Sequence, residues 1–191
     1  MTFVFEALAC LTWFTYGSFY EWFIHRHFMH ARRFPLRDAF EGHTLLHHQI
    51  YRGDDFLAHG PGRPPHLHLR PYTFPAILFS HLPLFILFEW LTGLPTLWGA
   101  VAGCTLYYIG FEYMHYLMHA PRGHFVERFR WFRFLREHHR LHHNYMRTNY
   151  NVVFPLADLC LGTLITTEAG RPRRDQRRRA AGRTRPESEQ S

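Results

Sequence analysis

The sequence predicts an all-α chain: an integral membrane bundle of about three transmembrane helices, with a histidine-rich cap on one side. Three observations predict it. Apolar, aromatic stretches recur at lengths that cross a bilayer. The arginines lie only between and after those stretches. The histidines fall in four clusters, each beside an apolar stretch.

Met1 to Ile24 is apolar and aromatic, interrupted by only two charges, Glu6 and Glu21. A crossing takes about 20 residues, so this is the first span. It does not read as a signal peptide, because it lacks a cationic start and a small-residue cleavage site and runs straight into a histidine cluster. Pro71 to Phe111 carries one formal charge, Glu89, and has room for two crossings. The turn chemistry of Thr92-Gly93-Leu94-Pro95 divides it into Tyr72–Trp90 and Leu94–Met114. Phe125 to Arg140, dense in arginine and aromatic residues, reads as an amphipathic interfacial helix. Val152 to Leu164 is apolar but too short to span, and is placed at the interface. Residues 1–168 make the membrane-embedded domain. Residues 169–191 have an Arg-rich composition that cannot bury a core and are expected to be a disordered tail.

The net charge is +7 with histidine neutral, and all 22 basic residues are arginine. None lies between Pro71 and Pro121, so the chain is an apolar block flanked by cationic stretches. That pattern fits anionic lipid better than nucleic acid. The mean hydropathy of −0.27 averages the spans with the tail and hides them. With three crossings, every segment holding arginine shares one side. The positive-inside rule makes that side cytoplasmic. The three cysteines are far apart and form no disulfide framework.

Seventeen histidines are the anomaly. The clusters are His25-Arg-His-Phe-Met-His30, His43-Thr-Leu-Leu-His47-His48, His115-Tyr-Leu-Met-His119 and His138-His139-Arg-Leu-His142-His143. Residues three or four apart share a helix face, so two rings at that spacing converge on one ion. His43/His47, His115/His119, and His139 with His142 or His143 qualify. His25/His30, five apart, needs a helix end or bend, or serves two ions. Adjacent residues on a helix diverge by about 100°. Each doublet, His47/His48 and His142/His143, therefore hands one ring to each of two ions. A catalytic ion takes about three protein ligands and keeps a position open. The ten patterned rings, His25, His30, His43, His47, His48, His115, His119, His139, His142 and His143, exceed one ion's need and suit two. Imidazole suits iron, zinc, copper and nickel alike. Glu21, Glu41, Glu112, Glu137 and Asp158 are near enough to orient the second ring nitrogens. His27, His59, His66, His68, His81, His124 and His138 read as interfacial, surface or helix-bonded groups.

These clusters resemble the fatty acid hydroxylase superfamily of membrane di-iron enzymes, which includes sterol desaturases. The resemblance runs from about Tyr20 to Thr163. Glu21-Trp-Phe-Ile-His25-Arg-His-Phe-Met-His30 resembles its first histidine box and His115-Tyr-Leu-Met-His119 its third. The stretch Asn151 to Thr163 is similar to the segment after the last box, and Pro64-Pro65 with Pro71 to the lead-in of the second hairpin. The texture is nearest the sphingolipid fatty acid 2-hydroxylases. Two departures stand out: His43 is four residues before His47 instead of three, and one helix precedes the first box instead of two. The resemblance implies two metals over the cytoplasmic face of the bundle, held by the ten histidines. It implies iron, with zinc accepted by the same rings. It also implies O2 as co-substrate, a lipid substrate, and electrons from a separate cytochrome b5-like or ferredoxin-like donor. The expected activity is hydroxylation of an unactivated C–H bond of a fatty acyl chain, with Phe111, Tyr113 and Tyr116 lining the entry. Carotenoid or sterol hydroxylation or desaturation is the alternative within the superfamily. A membrane zinc or nickel binder or transporter is the alternative outside it, disfavoured because transport needs polar ligands at mid-membrane.

Overall fold

The computed structural model describes residues 1–58 and 67–167. His59, His66, the Pro64-Pro65 pair and the tail from 169 lie outside the described residues. Helices are the regular elements of the described residues, which contain no strand. Three long helices form its body: α1 (Thr2–Ile24), α4 (Thr73–Thr92) and α5 (Leu97–His119). Short pieces cap one end: α2 (Arg37–Phe40), α3 (His48–Ile50) and α7 (Leu156–Cys160). An amphipathic helix, α6 (Arg130–Asn144), closes that end. π-helical turns over His25–Met29 and Glu41–His47 and 3₁₀ turns over Gly53–Phe56 and Phe125–Arg128 complete it.

Among the described residues, α4 is the one helix both long and apolar enough to cross a membrane. At about 1.5 Å per residue its 20 residues cover about 30 Å, the thickness of a hydrocarbon core. α1 and α5 are longer, at 23 residues each. Trp, Tyr, Ser and Thr dilute the apolarity of α1. Three glycines, four tyrosines and Glu112 dilute that of α5.

α1 packs along α5, and α4 packs on α5 and touches α1 through Trp13–Phe85 and Tyr16–His81. The α1/α5 contact is close because glycine allows it. A Cβ built on Gly99 would stand 2.0 Å from the Glu6 carbonyl oxygen, and one on Gly103 would stand 2.4 Å from that of Cys10. These two glycines, four apart, are the small-xxx-small pattern that brings membrane helices together. The α4–α5 hairpin turns at Gly93, whose φ of +66° lies in the left-handed region glycine favours. The acidic residues in the apolar stretches are all bonded. Glu89 accepts from the N–H groups of Thr96 (2.7 Å) and Leu97 (2.6 Å), and Glu6 from that of Gly99. Both carboxylates thus cover orphan N–H groups at the N-terminus of α5, where the helix dipole favours negative charge.

Two boundaries differ from the sequence expectation. α5 continues past Met114 to His119, so the third histidine cluster is the last turn of a long helix. The amphipathic helix begins at Arg130 rather than Phe125, because Glu127 turns back. Its carboxylate accepts from the N–H groups of His124 and Arg122, both at 2.9 Å. That closes a separate 3₁₀ turn, and Phe129 is extended. The buried face of α6 carries Phe132, Leu135, Leu141 and the fourth histidine cluster. It packs inward on Leu117, Met118 and Val152 of the core.

Replacing Gly103 by Leu should separate α1 from α5. Overpacking costs about 1–3 kcal/mol where side chains can shift. Here the obstacle is backbone, so a loss at or above that range is expected as a lowered melting transition in detergent. Gly42, with nothing within 4 Å of a built Cβ, should accept Ala with little change.

Candidate metal centre

The structure brings the ten patterned histidines into two groups of five. His25, His30, His43, His48 and His142 form one; His47, His115, His119, His139 and His143 form the other. In each group one ring nitrogen per residue lies within 4.8 Å of the rest. Both doublets are split between the groups, as the 100° divergence of helical neighbours requires.

The π turns explain the membership. In an α-helix, residues five apart diverge; in a π turn, with about 4.4 residues per revolution, they nearly align. The His30 N–H bonds the His25 carbonyl at 3.0 Å, and the His48 N–H bonds that of His43. Each is an i→i+5 link, and each joins two histidines of the same group. The His43/His47 pairing expected from α-helical spacing is therefore wrong: His43 pairs with His48, and His47 belongs to the other group. On α6, which is regular, His139 pairs with His143 at i,i+4 rather than with His142.

The rings face one another through Nε2. Seven contacts join them: His25–His43 (2.8 Å), His43–His48 (3.0 Å), His30–His142 (3.0 Å), His47–His143 (3.1 Å), His47–His115 (3.2 Å), His119–His139 (3.0 Å) and His139–His143 (3.1 Å). With metal–nitrogen bonds of about 2.1 Å, two ligands at a right angle stand about 3.0 Å apart, and two at a tetrahedral angle about 3.4 Å. Seven ring pairs thus approach about as closely as two ligands of one ion do, and five rings per group is more than the three per ion expected from sequence.

The other ring nitrogen, Nδ1, is held by the backbone. His25 donates to the Tyr150 carbonyl, His115 to Leu67, His119 to Phe56, His142 to Thr148 and His143 to Tyr51. A carbonyl only accepts, so each of these Nδ1 atoms carries the proton and each Nε2 presents a lone pair. His30 donates to the Thr44 hydroxyl (3.1 Å), whose own proton goes to the Met29 carbonyl (2.6 Å). For His30 and His142 both Nδ1 positions are thus protonated, and two lone pairs face each other at 3.0 Å. Neutral rings repel in that arrangement; a cation between them turns it into attraction.

Protonation is not the way out, because the rings are buried. Burial, with neighbouring rings adding to it, holds His25, His43, His48, His139 and His143 well below the ordinary imidazole value. Burial pushes His142 down to about 4. The two groups abut through ring faces, His48 stacking on His143 at 4.1 Å and His43 on His47 at 5.2 Å. The donor set is ten neutral imidazoles, which suits iron, zinc, copper or nickel.

The carboxylates expected to orient the rings do other work. Glu41 pairs with Arg32, Glu112 with His68, and Glu137 with Arg140. Glu21 accepts from Tyr107 (2.6 Å), Asn151 Nδ2 (3.1 Å) and the Val152 N–H (2.8 Å). Asp158 is fully buried and accepts from the N–H groups of Tyr150 (2.9 Å) and Asn151 (2.7 Å) and from Thr163 Oγ1 (2.6 Å). Burial alone would raise its carboxyl, but His138, Thr163 and the Asn151 N–H outweigh it and hold it below the usual carboxylate value. His138 stands 3.4 Å from Asp158, outside both groups, and completes no hydrogen bond. His81 bonds its own helix at Ile77 (2.8 Å), and His124 bonds Tyr113 (2.8 Å). Of the aromatic residues expected at an entry, Phe111 stacks on His115 at 5.4 Å, while Tyr113 faces His124 and Tyr116 accepts from Arg122. Sequence reasoning missed Ser18, Tyr107, Asn149 and Asn151 as supports. Asn149, at φ 54°, was the one with a signal, since asparagine tolerates the left-handed region.

Two outcomes are expected. His142→Ala and His143→Ala each remove a ligand from a different group, so metal analysis should find about one ion lost per chain in either, not both. In the metal-free chain, buried imidazoles take up protons at lower pH than they do unfolded. Below about 6.5 the unfolded chain binds more protons, so stability falls as pH drops from about 6.5 towards about 4, by up to about 1.4 kcal/mol per pH unit per histidine. A melting temperature that stays level across that window would contradict the burial assigned to these rings.

Compared with known proteins, the chain matches no family model, no curated protein and no solved structure.

Proposed function

We propose that this protein is a membrane-embedded, dinuclear iron oxygenase that hydroxylates an unactivated C–H bond of a lipid, most simply a fatty acyl chain. The observation that carries the reading is the convergence of ten imidazoles, nine of them buried, into two adjoining groups of five. Such a donor set accepts iron and zinc alike. Bound iron would supply the activation of O2 that such a bond requires. The reaction balances as RH + O2 + two electrons + two protons → ROH + H2O, with the electrons from a separate cytochrome b5-like or ferredoxin-like protein.

The chain's own residues do the rest. The five backbone carbonyls and Thr44 keep six rings in one tautomer and aimed. The apolar layer of Leu117, Met118, Phe132, Leu135 and Val152 keeps water from the α5–α6 side. An open apolar depression on the α5–α6 surface is lined by Met114, Val126, Phe129, Arg130, Trp131 and Phe132.

Membrane embedding rests on an inside-out distribution. The buried positions of α1 are Ala9, Ser18, Glu21 and Trp22, while Phe3, Leu8 and Leu11 face outward. On α4, Phe79, Leu87 and Trp90 face outward, and only His81 and Phe85 are buried. Apolar surface of that extent needs a lipid or protein cover. We take α1, α4 and α5 as three crossings, with the histidine cap on the arginine-rich, cytoplasmic side. The reading extends to carotenoid or sterol substrates with the same chemistry.

Cells expressing the chain under air, with a competent reductase system, should accumulate lipids heavier by one oxygen. The His142→Ala variant should not. Purified protein holding two irons per chain alongside unaltered lipids and carotenoids would sink the oxygenase reading.

A further inference from the structure

The ten ligating rings contain no negative charge, so the charge that balances two dications must act from behind them. One peptide unit shows a route. The peptide joining Tyr150 to Asn151 has its carbonyl on the His25 Nδ1–H and its N–H on Asp158 Oδ2, at 2.7 Å. The second oxygen of the same carboxylate accepts the preceding N–H, that of Tyr150, at 2.9 Å. Carboxylate, peptide, imidazole and Nε2 therefore lie in one line of hydrogen bonds.

We propose that Asp158 is a positioning residue that acts on His25 through the Tyr150–Asn151 peptide, making His25 the most electron-donating ligand of its group. The inference rests on the two-ion reading above and adds an asymmetry to it. Negative charge on the N–H side of a peptide pushes electron density onto its carbonyl oxygen. A more basic carbonyl pulls harder on the His25 Nδ1 proton, and the ring's Nε2 becomes a stronger donor. His142, in the same group, is the natural contrast. Its Nδ1 donates to the Thr148 carbonyl, but the N–H of that peptide, on Asn149, goes to the neutral carbonyl of Thr163. Two rings of one group thus donate to carbonyls of the same loop, one peptide backed by a carboxylate and the other by a neutral carbonyl.

The loop is built to make this relay rigid. Asn151 Oδ1 accepts the Asp158 N–H (3.1 Å), and Asn151 Nδ2 donates to the Ser18 carbonyl (2.7 Å) on α1. Asp158 has further donors in Thr163 and a close neighbour in His138. Those contacts keep a fully buried carboxylate ionised in a place where it touches no ligand directly.

The test is a cobalt(II) titration of the full chain in detergent, reading both binding steps, with Asp158→Asn against the unmutated protein. Asparagine keeps the shape and one acceptor oxygen but removes the charge. The expected result is a Kd raised about 10- to 100-fold for one of the two ions with the other step unchanged, and a melting transition lowered but still cooperative, because the new amide NH2 faces a backbone N–H. Two unaltered binding steps in a folded variant would overturn the relay. An unmutated chain that binds no cobalt would instead overturn the two-ion reading. Should Asp158→Asn lose both ions together with its melting transition, the unmutated zinc-loaded chain decides by NMR. The Nδ1 proton of His25, identified by its loss in His25→Ala, should resonate further downfield than that of His142. Equal positions for the two protons would overturn the proposal.

Discussion

A neutral imidazole offers one lone pair, on the nitrogen opposite the one that carries its proton, and a carbonyl at that proton fixes which nitrogen it is. That constraint organises the structure. Five carbonyls from three chain segments (Tyr51 and Phe56, Leu67, Thr148 and Tyr150) are delivered to Nδ1 atoms of His143, His119, His115, His142 and His25. Side-chain carboxylates would do the same job with more charge and more freedom. Carbonyls are fixed by the backbone, so the tautomer is set wherever the chain folds. The cap's irregular backbone follows from this. Regular helix binds its own carbonyls, whereas these segments leave them available for rings.

The same need explains why the polar groups of the long helices face inward. Glu6 and Glu89 cover the start of α5, and Glu21 ties α1 to the loop that carries Tyr150 and Asn151. With those groups bonded internally, the outward faces are left apolar. The α1/α5 contact, closed by Gly99 and Gly103, sets the distance between the His25 end of α1 and the His115 end of α5. One histidine group is reached from each helix. Helix spacing and group spacing are therefore one quantity.

Much of this was legible in the sequence. Both long-helix starts in the hairpin, the Gly93 turn and the end of α1 are within a few residues of the expected bounds, because apolar runs and turn residues are local signals. The ten histidines were legible because clustering at helical spacing is also local. Their partition was not. His43 reads as a partner of His47 on an α-helix, and only an i→i+5 backbone bond shows otherwise. The orienting groups were illegible for a different reason: a carbonyl has no side-chain letter. Glu41, Glu112 and Glu137 attracted attention as carboxylates near histidines, yet each is paired elsewhere. Gly99 and Gly103 did carry a readable pattern, four residues apart on one face.

The doublets carry the last step. His47 and His48 diverge because they are neighbours on a helix, and so do His142 and His143. Each pair straddles the boundary between the groups, and His48 lies flat on His143 at 4.1 Å across it. Shifting α6 by one residue would move His142 and His143 together, misaiming a ligand in each group at once. The two sites therefore cannot be tuned independently by sliding a helix. They can be tuned from behind, ring by ring, through whatever the Nδ1 partner is bonded to. A fold that fixes ten identical rings by geometry leaves the supporting backbone as the place where two such groups can be made unequal.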